Sequence, residues 1–338
     1  MRPVRLGLVG AANQGREHLA AAGACSQARI TAACDLSAPV RDDTSARFPE
    51  VPMYAGLSEM LAAHALDGLV LALPHDAYDA QWHVLLQAGL PILKEKPLGR
   101  TLAEAARFVA HAQQAGVALV TAIQRRHHPS YVELEKLLHG TEIRELSATL
   151  HLGFDPTRRP AGWRGDPSRA GGGALLDAGY HLVDLVQYLL GAFEVVHANL
   201  WNGDRPATPD LLESEARVLG RAGRTWIRID CQVGGTPDVE RPGKRKKHER
   251  VVAVLGDGRR VEASRSQVLV DGACVFQADP SWTRSVALQL DAFARRITEN
   301  RFDDLDVWSQ VPAMRLIERA YAIARAVGPV PEGVSRDR

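Results

Sequence analysis

At 338 residues the chain exceeds one ordinary core and suits two domains. Hydrophobic residues at 46%, charged residues at 24% and a net charge of +1 are those of an ordinary globular protein, and leave no bulk-electrostatic case for a nucleic-acid partner. Four scattered cysteines without a CxxC, no leader-like start and no bilayer-length apolar run predict a cytoplasmic protein with no membrane association.

Val4 to Val9 is mostly apolar, as a parallel strand covered on both faces requires. It runs into Gly10-Ala11-Ala12-Asn13-Gln14-Gly15, and then into the helix-forming Leu19-Ala20-Ala21-Ala22. Strand, glycine turn and helix form the context of a dinucleotide fingerprint. Gly10 makes the tight turn and Gly15 lets helix and strand pack closely. The amides around Ala12, Asn13 and Gln14 then face a pyrophosphate, although Ala12 stands where the middle glycine is usual. A second strand, Ala28 to Cys34, ends at Asp35. A carboxylate there accepts the ribose hydroxyls and repels a 2′-phosphate, which favours NAD; Arg41 keeps NADP open.

The unit repeats. A helix begins at Leu57 with Ser58 as its expected cap, and a strand over residues 66–73 ends at Pro74-His75. A helix over 77–89 stops at Gly89, and a strand over 91–94 leads to Glu95-Lys96-Pro97. Thr101 and Glu104 form a capping-box pattern, and Val117 to Ile123 is the next strand. Residues 1–123 therefore read as a doubly wound parallel α/β sheet, a Rossmann domain. Ligands in such sheets sit beyond the carboxyl ends of the strands, where Lys96 is held by Pro97. Pro74, His75 and Glu95 share that edge.

After the polar break Gln124–Pro129 and a helix over 131–139, the grammar changes. Strands are expected over 146–154, 194–200, 214–219, 225–233, 250–255, 260–263 and 267–270, with hairpin turns at Gly256-Asp257-Gly258 and Asp271-Gly272. Residues 124–338 read as an α+β domain with a large, open-faced, mostly antiparallel sheet, whose free face suits another subunit. The tail from Asp306 carries a last helix, and Lys244–His248 reads as a solvated loop. Within this half, Gly171-Gly172-Gly173 turns into a helix on which Asp177, His181 and Asp184 share one face. An imidazole between carboxylates suits proton transfer, with His181 as acid or base. Metal binding is not expected, because no second histidine or cysteine stands at ligand spacing. The segment 154–170 offers Trp163, Arg164 and Arg169 as pocket residues; Arg158, Arg159 and Arg164 would suit a phosphate or carboxylate, but a surface loop is the stronger reading of these arginines.

In order, Gly10…Gly15…His18, Asp35, Pro74, Glu95-Lys96-Pro97, Arg126, Trp163-Arg164 and Gly171-Gly172-Gly173…Asp177…His181…Asp184 resemble the Gfo/Idh/MocA oxidoreductases. That is the family of glucose–fructose oxidoreductase and inositol dehydrogenase. The resemblance implies an NAD(P)-dependent dehydrogenase of a sugar, amino sugar, cyclitol or related polyol, working as a homodimer or homotetramer. It implies that Lys96 bonds the reacting oxygen, His181 moves the proton and Asp177 binds substrate. Arg126, Trp163, Arg164 and Tyr180 would lie on the substrate side. The family often has asparagine and histidine where this chain has His75 and Tyr78. The alternatives on this fold are a non-catalytic ligand sensor and a glycoside hydrolase that uses NAD as a bound redox relay.

Overall fold

The computed structural model describes residues 2–153, 162–203, 205–206, 212–234, 248–302 and 310–327. The apolar runs of the first third pair in parallel. Strands β1 (Val4–Val9), β2 (Ala28–Cys34), β3 (Met53–Tyr54), β4 (Gly68–Leu71), β5 (Ile92–Glu95) and β6 (Leu119–Ala122) form one sheet in the order β3-β2-β1-β4-β5-β6. Helices α1 (Asn13–Ala22), α2 (Ala38–Arg47), α3 (Leu57–Ala63), α4 (Asp79–Gln87) and α5 (Leu102–Gln114) join them. The register aligns Val9 with Leu71, Leu71 with Lys94 and Lys94 with Thr121, so β1, β4, β5 and β6 end level. Strand order reverses between β1 and β4, which opens a crevice at those ends.

Two caps differ from expectation. Gly56, not Ser58, precedes α3, and it makes no side-chain cap bond. Thr101 does cap α5, accepting the Glu104 amide at 3.1 Å. Glu104, however, turns its carboxylate to the Arg100 amide, so the reciprocal half of the box is missing.

Among the described residues the second sheet has nine strands: β7 (Ile143–Leu152), β8 (Glu194–Asn202), β9 (Arg205–Pro206), β10 (Glu215–Ala222), β11 (Thr225–Val233), β12 (His248–Leu255), β13 (Arg260–Ala263), β14 (Gln267–Val270) and β15 (Ala273–Gln277). Their order is β15-β14-β13-β12-β7-β11-β10-β8-β9, and all pairs are antiparallel except β7 with β11. Alternation along β10 and β11 buries one face and leaves Arg217, Leu219, Arg221, Trp226 and Arg228 on the other. Asp271 and Gly272 both take positive φ, as a two-residue hairpin turn demands.

The remaining helices are a 3₁₀ turn (Gln124–His127), α6 (Pro129–Leu138), α7 (Pro167–Ala170), α8 (Tyr180–Leu190), α9 (Trp282–Glu299) and α10 (Gln310–Val327). Helix α9 lies outside the elements expected above. Ser281 caps it, and Val286, Leu290 and Phe293 enter one core with Leu6, Leu8, Val70 and Leu93 of the first sheet. Asp291 accepts the Ser26 and Gln27 amides at 3.0 and 2.7 Å, fixing α9 to the turn before β2. Every strand of the first sheet precedes residue 123, yet a helix from the far end of the chain completes its core. Cys25, Cys34 and Cys231 are buried free thiols, while Cys274 is exposed. Among the described residues no helix is long and apolar enough to cross a membrane.

Candidate active site

The first glycine turn leaves no room for side chains. Gly10 has φ +90°, and a Cβ there would lie 2.5 Å from the Ala72 carbonyl oxygen; at Gly15 it would lie 2.1 Å from the Gly10 carbonyl oxygen. Ala12 precedes α1 and supplies no side-chain cap, so the amides of the helix's first turn stay open to an anion. At the end of β2 the Asp35 carboxylate accepts the Ala11 and Ser37 amides, each at 2.9 Å. Arg41 folds back to donate to the Asp35 and Leu36 carbonyls. A turn without side chains, an uncapped helix start and a carboxylate at the next strand end fit a dinucleotide.

At the end of β5, alternation sends Lys94 and Glu95 to opposite faces. Glu95 accepts from Gln14 Nε2 at 3.1 Å and meets His18 Nε2 at 2.7 Å, which ties β5 to α1. Lys96 follows at the crevice. Its Nζ donates to Asp177 Oδ1 at 2.6 Å and to the Asp177 carbonyl at 2.7 Å. Arg164 Nε donates to the other carboxylate oxygen at 3.2 Å, and its guanidinium lies 4.2 Å from the centre of the Trp163 ring. Trp163 in turn packs on His75, with ring centroids 4.2 Å apart. Burial disfavours the Asp177 carboxylate, but Lys96 and then Arg164 outweigh it and hold the group well below the usual carboxylate range. Burial pulls His75 down to about 3, against the opposing pull of Asp177, so its imidazole is neutral. Its Nδ1 lies 2.9 Å from the Ala170 carbonyl, which assigns the proton to Nδ1 and leaves Nε2 as an acceptor.

The turn that presents Asp177 is built around Glu213. This carboxyl, pushed up by burial, accepts the Gly173 and Leu175 amides at 3.1 and 2.9 Å and the Tyr321 hydroxyl at 2.6 Å. A Cβ on Gly173 would lie 2.2 Å from the Glu213 carbonyl oxygen, and one on Gly172 would lie 2.4 Å from Tyr321 Oη. Gly172 and Gly173 leave the space those two residues occupy, while Gly171, at φ +80°, lies against Arg100. A single π-helical turn, Leu175–Gly179, then precedes α8. Its wider bonding shifts the helical phase. Asp177 faces Lys96, while Asp184 is fully buried and accepts Arg126 Nε at 2.9 Å, Arg126 Nη2 at 2.6 Å and Gln310 Nε2 at 2.6 Å. His181 is buried, with its ring edge-on to Trp282 at 6.4 Å.

Residues 4–123 match a family model described as an oxidoreductase family with an NAD-binding Rossmann fold, and residues 140–223 match the GFO/IDH/MocA C-terminal domain. The chain belongs to the Gfo/Idh/MocA oxidoreductases. It is similar to the rhizopine catabolism protein MocA of Rhizobium meliloti, 30% identical over 191 residues, or 56% of this chain and 58% of that protein. It thus matches little more than half the length of that relative. It is also similar to D-xylose 1-dehydrogenase (NADP(+)) 2 of Haloferax volcanii, 27% identical over 328 residues, 92% of this chain and 91% of that protein. Levoglucosan dehydrogenase in complex with NADH and L-sorbose superposes with a TM-score of 0.82 over 96% of this chain and 98% of its own, at 17% identity, a likeness of fold.

Within this Gfo/Idh/MocA chain the expected site divides. Lys96, Asp177, Trp163, Arg164 and His75 come together, with Pro74 beside them at the end of the third long strand. Gly10, Ala12, Asn13, Gln14, Gly15 and Asp35 gather at the dinucleotide turn. Of the residues expected on the substrate side, Arg126 gives its Nε–Nη2 edge to Asp184, and Tyr180 is fully buried. Asp177 lies in the π turn, whereas His181 and Asp184 lie on α8. Glu95 is engaged with Gln14 and His18, so it braces the cofactor side from behind. Tyr78 lies in the core under Lys94, and Arg169 pairs with Asp76 at 2.6 Å. Arg158, Arg159 and Lys244 to Lys247 lie outside the described residues. Glu213 and the contact of Arg164 with Asp177 were not anticipated; the triple glycine is the sequence signal that a bulky neighbour closes on the turn.

Proposed function

We propose that the protein is an NAD(P)-dependent dehydrogenase acting on a hydroxyl, or in reverse a carbonyl, carbon of a sugar, amino sugar, cyclitol or related polyol. The observation that carries this reading is the Lys96–Asp177 pair, 2.6 Å apart beyond the carboxyl end of β5 and next to a turn that fits a dinucleotide. The relatives named above act on substrates of this kind. When bound, the nicotinamide exchanges a hydride with the substrate carbon. The protein's own groups do the rest. Lys96 turns from Asp177 to donate to the reacting oxygen, and Asp177, kept ionised, accepts from a neighbouring hydroxyl. His181 accepts the hydroxyl proton in oxidation and returns it in reduction. Trp163 and neutral His75 form an aromatic wall that narrows water access.

We further assign residues 1–123 to the cofactor and 124–338 to substrate and assembly. Asp35 supports NAD over NADP, since Arg41 is turned to backbone carbonyls. The open sheet face, with Trp226 and Leu219 exposed, supports a homodimer or homotetramer. Three buried free thiols agree with a reducing cytoplasm.

The test is absorbance-followed reduction of NAD⁺ and NADP⁺ against a panel of sugars, amino sugars, sugar phosphates and cyclitols, with Lys96→Ala alongside. Turnover on one substrate class, lowered ~10²–10⁴-fold in the variant with dinucleotide affinity retained, is expected. A variant that turns over like wild type would remove the role of Lys96.

A further inference from the structure

The loop that carries Lys96 is gripped from two sides. From α5, Glu104 accepts the Arg100 amide at 2.6 Å and the Arg100 guanidinium at 2.7 Å. From beneath, Lys94 reaches up. It is 1% exposed, with Nζ 3.7 Å from the Tyr78 ring centre and 5.6 Å from that of Phe108. That Nζ donates to the Pro97 carbonyl at 2.8 Å and to the Glu95 carbonyl at 3.3 Å. The two carbonyls bracket Lys96.

Burying an amine is costly, and an apolar chain of equal length would fill the slot between the rings without that cost. What the amine adds is two directed bonds. We propose that Lys94 is a positioning residue for Lys96: by holding the Glu95 and Pro97 carbonyls, it fixes the backbone from which Lys96 reaches Asp177. This rests on the role proposed for Lys96, though not on any particular substrate.

The surroundings agree. Burial pulls the Lys94 amine down to about 7, with Glu104 and Glu95 favouring its charged form and Lys96 opposing it. The Tyr78 face compensates an ammonium in part, and either protonation state has enough donors for both bonds. The grip therefore persists across neutral pH.

The full-length protein is compared with Lys94→Met, which keeps length and bulk but deletes the donors. Two readouts separate positioning from space filling. The first is turnover on whichever substrate the panel identifies. It should fall by roughly 10- to 100-fold while NADH affinity, read by fluorescence titration, changes by less than about threefold. The second needs no substrate. Lys96 should be acetylated by acetic anhydride about fivefold faster or more, localised by mass spectrometric fragmentation, with Lys136 as the unchanged reference. Lys94→Gln, which retains two donors, should recover part of both effects. Equal turnover and equal Lys96 labelling in the methionine variant would reduce Lys94 to a filler. If wild type turns over nothing on the panel, the activity reading fails, and the labelling still decides the positioning. Should the methionine variant not fold, labelling in Lys94→Gln decides: a rate nearer wild type than that of wild type unfolded in guanidinium chloride at the same pH supports the grip, and a rate equal to the unfolded one overturns it.

Discussion

Two cation–carboxylate pairs stand within one short stretch, and they differ in kind. Asp184 and Asp177 each lie 2.6 Å from a cationic nitrogen, that of Arg126 or of Lys96. Asp184 is fully buried, met by the Nε and Nη2 of a planar guanidinium and by Gln310, so both its oxygens are engaged. The Asp177 side chain is 31% exposed and meets Lys96 at one point and Arg164 through one nitrogen. A guanidinium fork locks a carboxylate in a plane, whereas an ammonium on a four-carbon stem can leave and return. The same charge pairing thus gives a closed joint in one place and a responsive site in the other.

The sharpest way to break the contrast is Lys96→Arg, which turns the open pair toward the closed kind. Turnover should fall by ~10²-fold or more while the thermal midpoint holds or rises, read by NAD(P)H absorbance and calorimetry. Next comes Asp184→Ala, which leaves Arg126 without its carboxylate. Urea unfolding should show a loss of about 3 kcal/mol, while Asp177→Asn, at the more open pair, should cost less than about 1 kcal/mol. Gly173→Ala drives a methyl against the Glu213 carbonyl and should cost about 1–3 kcal/mol, together with slower turnover because the Asp177 turn shifts. The smallest effect at neutral pH, one that emerges only in acid, concerns His75, at the wall of the open pair. Its folded value, about 3, lies below the 6.5 of the unfolded chain, so the unfolded state binds protons first. Its stabilisation is complete above pH 6.5 and is lost as pH falls toward 3, with a slope of at most about 1.4 kcal/mol per pH unit. His75→Gln should flatten that slope in urea titrations at successive pH values.

Much of this was legible in the residues. Continuous apolar runs between glycine turns and short helices leave a parallel sheet as the natural solution, and Lys96, Asp177, Trp163 and Arg164 stand out by type and position. Partnerships were harder to read. Nothing near Glu95 says that His18, 77 positions earlier, will bind it. A π turn carries no composition of its own. Tyr180 stands beside Asp177 and His181 in the sequence, yet it is fully buried. The strand Met53–Tyr54 has too few residues for alternation to show, and the edge strand Ala273–Gln277 is exposed nearly throughout, so it has no buried face to alternate with. Helix α9 did carry cap and periodicity signals; what they could not reveal is that it returns to the first sheet.

That return has a consequence in time. On a ribosome the nucleotide-binding sheet is synthesised long before the helix that covers one of its faces, and the bonds from Asp291 to Ser26 and Gln27 span 265 and 264 positions. Leu6, Leu8, Val70 and Leu93 share their core with Leu19 and Ala22 of α1, and that core stays incomplete until α9 emerges. Nascent chains halted before residue 282 should therefore be readily cleaved by protease and bound by chaperones, and those released past Glu299 should resist both.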